Sequence, residues 1–244
     1  MPDSVSILGV RIHAITVAET LAWIEAALAE RVPRQICTSN PEFLMTARRD
    51  REFFDVLDRA DLVVPDGVGL LLAARWRGAR LPERVAGSDL IYRIAERAAH
   101  HGWSIYFLGA AEGVALKTAE TLRAAYSGLT IAGTFGGSPK TEEEDAIVAH
   151  VRAAHPDILL VAYGAPAQDK WIARNKERLG VPVSMGMGGA FDFVAGAAQR
   201  APVWVQRRGL EWLHRLWRQP WRARRIFTAV VAFPVAVLRQ GRRD

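Results

Sequence analysis

The stretch DILLVAYGAPAQDKW (157–171) contains a short apolar run, a glycine–alanine–proline turn and the start of a polar, helix-like pattern. An apolar run of this length between turn residues is typical of a strand that is buried on both faces. Five further runs have the same character, at 34–40, 61–66, 103–110, 129–135 and 182–189, and longer helical patterns lie between them. Because strands that alternate with helices form βαβ units, the sequence predicts a Rossmann-like α/β fold, a parallel sheet with helices on both faces.

Helix start signals support this alternation. Thr16 with Glu19, and Thr141 with Glu144, both fit the capping box, in which the two side chains satisfy backbone N–H groups at the helix start. Ser88 is placed to cap the helical pattern SDLIYRIAERAAHH that it opens. We therefore expect helices to begin directly after these three capping positions.

The composition is that of an ordinary globular protein. A chain of 244 residues with half of them hydrophobic can form one large α/β domain. The single cysteine, Cys37, excludes an internal disulfide framework and is interpreted as a packing residue rather than a nucleophile. Neither a signal peptide nor an apolar run long enough to span a bilayer is recognisable, so we expect a cytoplasmic protein.

Positive charge is concentrated at the C-terminal end of the chain. From Arg200 onward, eleven arginines face only Glu211 and Asp244, which gives +9 and leaves −3 for residues 1–199 of a chain whose total is +6. The same region holds four of the eight tryptophans, at 204, 212, 217 and 221, in a helix-like pattern broken at Pro220. We therefore predict a Rossmann-like domain (residues 1–202) and a basic, Trp-rich helical appendage (residues 203–244).

The appendage indicates an anionic partner. Its apolar run 226–238 contains Pro234 and is too short to span a membrane, but it suits a segment that lies in the membrane interface. Arginine and tryptophan together favour an anionic membrane surface and hence peripheral association with the inner face of the cell membrane. A solvated basic surface helix, core packing and single-strand nucleic-acid binding are the alternative interpretations.

Several familiar enzyme motifs are absent from the sequence. No GxGxxG follows an early strand, GAAEG (109–113) is a weak phosphate-turn candidate, and there is no GxxxxGK[ST]. The six histidines show no ligand spacing, and no D-x-D is present to hold a metal against a diphosphate. We therefore expect neither a cofactor nor a bound metal.

Polar residues follow four of the predicted strands at the points where those strands end. Taken singly, each group is ordinary turn or helix-cap chemistry. Because the carboxyl ends of parallel strands share one rim, where ligands bind in this architecture, the groups together predict a binding crevice. The residues in question are Thr38, Ser39, Asn40 and Glu42 after the first strand, Asp66 after the second, Gln168, Asp169 and Lys170 at a helix start, and the glycines of MGMGGAFDFVAG (185–196), including Gly188, followed by Asp192.

The ordered motifs resemble those of the WecG/TagA/CpsF glycosyltransferases. The resemblance extends from about Val5 to Arg225 and rests on TSNPEF (38–43), VVPDGVG (63–69), RVAGSDL (84–90), YGAPAQDKW (163–171), GMGGAFDFVAG with the following RAP (200–202), and GLEWLHRLWRQPWRARR (209–225). It implies an inverting, metal-independent enzyme that moves a sugar from a nucleotide-diphosphate donor to an undecaprenyl-diphosphate-linked sugar in cell-surface polysaccharide biosynthesis.

The resemblance also implies roles for individual residues. Asp66, the aspartate of the P-D-G motif, would be the general base. Asp169 stands where the family often has glutamate, which is a small departure from its pattern. The substrate-binding positions would be Thr38, Asn40, Arg84, Gln168 and the appendage arginines Arg215, Arg222 and Arg225.

These roles are chemically consistent with one another. Direct displacement with inversion needs one base to take the proton of the acceptor hydroxyl. The charge on the departing nucleotide diphosphate must be met by cations, and arginine forks match phosphate oxygens. Which arginine serves the donor and which the acceptor, the identity of the donor sugar among N-acetylmannosamine, its uronic acid and glucose, and self-association of the chain all stay open. A membrane-recruited protein without catalytic activity, or a nucleic-acid-binding module without a role for the polar rim, is the competing hypothesis.

Overall fold

The structure is a computed structural model that describes residues 2–199, 201–202, 205, 211–218 and 220–241. Within 211–218 the backbone is described throughout, but the side chains of residues 211, 214 and 215 are not. The side chain of the predicted site residue Arg215 and the whole of the tryptophan at 204 therefore lie outside the described part of the chain.

The core alternates strands and helices, as the sequence predicts. In chain order the elements are β1 (Ser4–Ile7), β2 (Val10–His13), α1 (Val17–Glu30), β3 (Arg34–Ser39), α2 (Pro41–Ala47), α3 (Arg51–Arg59), β4 (Leu62–Pro65), α4 (Val68–Trp76), α5 (Gly87–His101), β5 (Ser104–Gly109), α6 (Val114–Ala125), β6 (Thr130–Phe135), α7 (Thr141–Ala153), β7 (Ile158–Ala162), α8 (Ala167–Leu179), β8 (Val183–Gly186) and α9 (Ala190–Val194). The appendage follows with α10 (Glu211–Arg218), a 3₁₀ turn (Pro220–Arg222), α11 (Ala223–Phe227), a π-helical turn (Thr228–Ala232) and α12 (Phe233–Gln240).

The six strands predicted from the sequence form one parallel sheet in the order β4-β3-β8-β7-β5-β6. In the register, Cys37 of β3 lies opposite Val63 of β4, and Ile36 lies opposite Met185 of β8. The strands β4, β3, β8 and β7 are consecutive neighbours in the sheet. Their carboxyl ends, which carry the four polar groups predicted to form the crevice, are therefore adjacent in space.

Both faces of the sheet are covered, because successive strand residues point to opposite sides. Ile36, Leu62 and Phe107 join the apolar cluster that contains residues of α1, α5 and α6. Their sequence neighbours on the other face, such as Cys37 and Val63, pack with residues of α2, α3 and α4. The predicted fold class, a parallel sheet flanked by helices, is confirmed.

A two-stranded antiparallel sheet formed by β1 and β2 was not predicted. Its turn places Leu8 at φ 52° and Gly9 at φ 82°, the left-handed pair that a tight hairpin requires. The hairpin contacts the main sheet through His13, whose ring nitrogen Nδ1 accepts a 3.0 Å hydrogen bond from the backbone N–H of Val63. The strands have four residues each, which is too short to stand out as a periodic pattern.

Only one of the three predicted helix caps is confirmed. Thr16 and Glu19 form the capping box in both directions. Ser88 is not a cap, because α5 begins one residue earlier, at Gly87, without a side-chain cap. Thr141 is also not a cap. Glu144, its expected partner, instead pairs with Arg174 on α8, so a contact between helices has replaced the local one.

The appendage packs on the domain by its last helix. Phe233 is only 1% exposed and, with Ala236 and Val237 of α12, lies in the same apolar cluster as Leu70 of α4. Helical structure is present on both sides of Pro220, as the sequence predicts. Among the described residues, no helix has the length and apolar character needed to cross a bilayer. The division of the chain at Pro202 stays a prediction.

Candidate active site

A cavity of about 270 Å³ lies at the carboxyl ends of β4, β3, β8 and β7, under the appendage. Each strand end contributes to its wall, so the crevice predicted for this rim is present. The residues predicted for the site that line it are Thr38, Asn40, Glu42, Asp66, Arg84, Gln168, Gly188, Asp192, Arg222 and Arg225. None of residues 109–113, the weak phosphate-turn candidate, is among its lining residues.

Asp66 enters the cavity from a turn that is fixed on both sides. Its backbone N–H donates a 2.6 Å hydrogen bond to the carbonyl of Ser39, which continues the pairing of β3 with β4 by one residue. The next residue, Gly67, has φ 130°, a conformation that residues with a side chain rarely adopt, and α4 starts directly after it. The strand end, the glycine turn and the helix start together set the position of the carboxylate.

Thr38 and Asn40 lie at the end of β3, and part of their hydrogen-bonding capacity is already used. The hydroxyl of Thr38 donates to the carbonyl of Gly186 at the end of β8, with a distance of 3.3 Å. The side-chain oxygen of Asn40 accepts from the backbone N–H groups of Glu42 and Phe43, at 2.9 and 3.1 Å, and so caps α2. The amide N–H₂ group of Asn40 is therefore what this residue can offer to a ligand.

Gln168 connects two of the loops that form the cavity wall. Its side-chain oxygen accepts hydrogen bonds from the backbone N–H of Gly164, after β7, at 3.2 Å and of Gly188, after β8, at 2.9 Å. Gly186 lies against the same amide, since a methyl group there would come within 2.5 Å of Gln168 Nε2. Gln168 thus fixes the relative position of the two loops as well as lining the cavity.

Asp169 does not line the cavity, although it was predicted as a substrate-binding residue. Its side chain is completely buried, at 0% exposure, and neither carboxylate oxygen has a hydrogen-bond partner among the described residues. Burial raises the pKa of Asp169 to about 7, an effect that the nearby Cys37 thiol and Gln168 amide partly oppose. Burial likewise raises the pKa of Cys37 well above its usual value, which agrees with a packing rather than a nucleophilic cysteine.

Lys170, the next residue of the same motif, does not line the cavity. It donates to Asp50 and Glu52 at the start of α3, at 2.9 and 2.7 Å. Of the three polar residues that follow the Gly-Ala-Pro turn, only Gln168 therefore reaches the cavity. The helical rotation of α8, which turns successive residues by about 100°, separates the three.

Arginines line the cavity from both the domain and the appendage. Arg84 precedes α5 and approaches Asp89, with Nη2 at 3.4 Å from Oδ2. Arg222 and Arg225 belong to the appendage, and so does Arg218, which the sequence reasoning missed. A signal was available in the sequence, because position 218 follows the predicted position 215 by three residues, which is a helical spacing. The Arg215 side chain is outside the described residues.

One appendage arginine is bound directly to the domain. Nε of Arg225 donates to Oε1 of Glu42 at 2.5 Å, and both side chains are partly exposed at the cavity. Glu42 belongs to the first turn of α2, which Asn40 caps. The end of β3, the helix cap and the appendage are therefore connected through one ion pair.

Residues 5–244 match the glycosyl transferase WecG/TagA/CpsF family. The chain belongs to this family. It is 32% identical over 211 residues to the N-acetylglucosaminyldiphosphoundecaprenol N-acetyl-beta-D-mannosaminyltransferase of Bacillus subtilis (strain 168), covering 86% of this chain and 81% of that protein. The enzymes of the same name from Bacillus spizizenii (strain ATCC 23059 / NRRL B-14472 / W23) and Staphylococcus aureus (strain NCTC 8325 / PS 47) are 33% and 27% identical, over 85% and 86% of this chain and 79% and 83% of their own lengths.

In this WecG/TagA/CpsF glycosyltransferase, three carboxylates and four guanidinium groups line one cavity, and the carboxylates belong to Glu42, Asp66 and Asp192. Burial raises the pKa of Asp192, and the nearby guanidinium of Arg222 acts in the opposite direction. No group of three or more His, Cys, Asp or Glu side chains suited to a metal ion occurs in the part of the chain that the structure describes. The arrangement offers bases for an acceptor hydroxyl and cations for phosphate oxygens within the same enclosure.

Proposed function

We propose that this glycosyltransferase moves an N-acetylmannosaminyl group from a nucleotide-diphosphate donor to undecaprenyl-diphosphate-linked N-acetylglucosamine. The observation that carries the proposal is the joint placement of Asp66 and the arginines Arg84, Arg218, Arg222 and Arg225 around one cavity. The relatives support the substrates, because their names specify this acceptor and this transferred sugar. The product would serve the assembly of a cell-envelope polysaccharide.

Asp66 is the proposed general base. It takes the proton from the acceptor hydroxyl while the hydroxyl oxygen forms a bond to the anomeric carbon of the donor sugar. The bond from that carbon to the nucleotide diphosphate breaks on the opposite face, so the configuration at the carbon inverts. A carboxylate in a fixed turn suits this step, because its position is set before the substrate binds.

The arginines are proposed to stabilise the departing nucleotide diphosphate. Negative charge accumulates on the leaving phosphate oxygens as the glycosidic bond breaks, and preorganised cations lower the energy of that state. Guanidinium groups can form paired hydrogen bonds to phosphate oxygens and are always charged. This supports a metal-independent mechanism, in which Arg222 and Arg225 contribute from the appendage and Arg84 contributes from the domain.

Peripheral association with an anionic membrane surface is part of the proposal. The acceptor carries a long lipid, so the cavity must work close to the bilayer. Trp217 and Trp221 in the appendage are 77% and 74% exposed, and residues 212–241 contain six arginines and no acidic residue. Exposed tryptophan and arginine side chains together are typical of the interface of anionic membranes.

A donor panel tests the proposed substrates. The purified chain is incubated with a short-chain lipid diphosphate that carries N-acetylglucosamine, with UDP-linked N-acetylmannosamine, its uronic acid or glucose, and with a chelator in parallel. Mass spectrometry should show transfer of N-acetylmannosamine, at the same rate with chelator. Transfer of another sugar would overturn the donor assignment, and loss of activity with chelator would overturn metal independence. No transfer from any donor, together with salt-sensitive binding of single-stranded nucleic acid, would favour the nucleic-acid hypothesis.

A further inference from the structure

Helix α4, which starts two residues after Asp66, presents apolar side chains to solvent. Val68 and Leu72 lie one helical turn apart, and Leu72 is 57% exposed. On the opposite side of this helix, Leu70, Ala73 and Ala74 are buried in the domain core. A surface helix normally has a polar outer face, so the exposed apolar residues of α4 are not needed for packing within the domain.

The appendage lies directly beside α4 and runs in the same direction. A methyl group at Gly69 would lie 3.8 Å from Cε1 of Phe233. Eight residues further along each of the two segments, Nη1 of Arg77 donates to the carbonyl of Gly241 at 3.2 Å. Both helices bury one face in the same apolar cluster. Their opposite faces therefore point away from that cluster together, on one side of the molecule.

The exposed face of the appendage is apolar as well. Its exposed large apolar residues recur at helical spacing, and together with Val68 and Leu72 they form what we call the apolar surface. These appendage residues are Phe227, Val231, Val235 and Leu238. Scattered exposed apolar residues are normal in soluble proteins, whereas a contiguous set on two adjacent helices indicates a binding surface.

The two segments that carry the apolar surface contain basic residues and no acidic residue. Residues 67–82 contain three arginines and no acidic residue, and residues 212–241 contain six arginines and no acidic residue. Arg75 on α4 and Arg224 and Arg239 on the appendage are exposed. A second copy of the chain would bring two positive surfaces together, which is unfavourable, whereas an anionic lipid surface complements both the charge and the apolar side chains.

We propose that α4 inserts into the lipid interface together with the appendage, so that Val68 and Leu72 contact an anionic bilayer. This rests on the proposed function, since it places the base beside the leaflet that would hold the lipid-linked acceptor. Asp66 precedes Val68 by two residues, and Leu72 follows Val68 by about 6 Å along the helix axis. The acceptor sugar then reaches Asp66 without leaving the interface.

Leu116 provides a matched control for Leu72. It is 52% exposed, close to the exposure of Leu72, but it lies on α6, where Lys117 and Glu120 form an ion pair and charges of both signs surround it. Both positions accept a charged residue without filling a buried space. A difference in vesicle binding between Leu72→Glu and Leu116→Glu therefore results from the location of Leu72 on the apolar surface and not from the introduction of a glutamate.

The first test measures binding of the full chain to vesicles of equimolar phosphatidylglycerol and phosphatidylcholine by co-sedimentation. Leu72→Glu should weaken binding roughly tenfold, Leu72→Trp should strengthen it, and Leu116→Glu should bind like the wild type. Equal binding by Leu72→Glu and the wild type would overturn the proposal, and so would an equal loss in Leu116→Glu. A change in oligomeric state in Leu72→Glu with unchanged vesicle binding would assign the surface to a second copy and would also overturn it.

A second readout uses the fact that the chain's only cysteine, Cys37, is buried. A polarity-sensitive fluorophore on Leu72→Cys should shift to shorter wavelength when these vesicles are added, and the same label on Leu116→Cys should not. An unshifted label at position 72 would contradict insertion even if Leu72→Glu folded poorly.

Turnover separates this proposal from the proposed function. Leu72→Glu should retain wild-type turnover of a short-chain, water-soluble acceptor and lose it for the long-chain acceptor in vesicles. If the wild type turned over neither acceptor, the proposed function would fail, while the vesicle and fluorophore measurements would still decide whether α4 contacts lipid.

Discussion

Nε of Arg225 donates a 2.5 Å hydrogen bond to Oε1 of Glu42, which lies 183 positions earlier in the chain. The pair joins the appendage to the first turn of α2, at the wall of the cavity that also contains Asp66. An arginine that must meet a diphosphate in the transition state is most useful when it is already held nearby. We therefore regard Glu42 as a positioning residue for Arg225, and this role can be measured.

Glu42→Ala is expected to raise the KM of at least one of the two diphosphate-containing substrates by roughly twofold to fivefold, because a partly exposed ion pair contributes up to about 1 kcal/mol. Glu42→Gln keeps an acceptor oxygen for Nε of Arg225 and should fall between Glu42→Ala and the wild type. The measurement is steady-state kinetics with donor and acceptor varied in turn. Glu30→Gln, at an exposed ion pair with Arg34, is the control. Wild-type KM values for both substrates in Glu42→Ala would contradict the positioning role.

Gly186→Ala is expected to destabilise the protein by about 1–3 kcal/mol and to lower turnover. The added methyl group would lie 2.5 Å from Nε2 of Gln168 and 2.8 Å from Oδ1 of Asp169, so the amide that joins the two cavity loops must move. Chemical denaturation and turnover are measured on the same preparation. Gly136→Ala is the matched control, because a methyl group at Gly136 meets nothing within 4 Å. Equal changes in stability and turnover for the two substitutions would show that the position of the Gln168 amide does not depend on the absence of a side chain at Gly186.

Asp169→Asn is expected to stabilise the protein at alkaline pH relative to the wild type. The folded state holds the Asp169 proton up to about pH 7, whereas the unfolded chain releases it near the ordinary value of 3.8. The folded state binds more protons in this interval, so the free energy of unfolding falls as pH rises from about 4 to about 7 and is then level. Above pH 7 the ionised Asp169 carboxylate lowers the free energy of unfolding by at most about 4 kcal/mol, and asparagine, which does not ionise, avoids this loss.

Urea unfolding at about pH 5 and about pH 8 checks this expectation. The advantage of Asp169→Asn over the wild type should grow between the two pH values. Asp58→Asn, at an exposed position on α3, serves as the control and should show no such growth. If the advantage of Asp169→Asn is the same at both pH values, the carboxylate does not titrate in this interval.

Arg218→Ala is expected to lower kcat/KM for a short-chain acceptor by about tenfold to a hundredfold, because one cation that faces the leaving diphosphate is removed. Arg224→Ala removes the same charge from the same region, but Arg224 is exposed and is not among the residues that line the cavity. Comparison of the two variants therefore separates a contact in the cavity from the general positive charge of the appendage. Equal kcat/KM values in both variants would remove Arg218 from the site.

Local patterns were sufficient to predict the sheet and most of the rim. Five of the six strands, all except the partly exposed edge strand β6, are buried on both faces, so their apolar runs stand out from the sequence. Turn residues mark where each run ends. Since parallel strands present their carboxyl ends on one side, the sequence alone predicts that Thr38, Asp66, Gln168 and Gly188 lie together. The roles proposed for these residues stay predictions.

Features that depend on distant partners could not be predicted in this way. Thr141 fits a capping box, but Glu144 pairs with Arg174 on another helix instead. Asp169 follows Gln168 directly and both are buried, yet helical rotation places only Gln168 at the cavity wall. The bond between Glu42 and Arg225 joins residues that no sequence periodicity connects.

The most direct test of the account is the turnover of Asp66→Asn with the lipid-linked acceptor and the preferred donor. Removal of the base should lower kcat by about a hundredfold or more, while thermal stability and nucleoside-diphosphate binding stay at wild-type values. Asp192→Asn, which changes the other aspartate in the cavity, should retain more activity than Asp66→Asn. Wild-type kcat in Asp66→Asn would contradict the central claim that Asp66 accepts the proton of the acceptor hydroxyl.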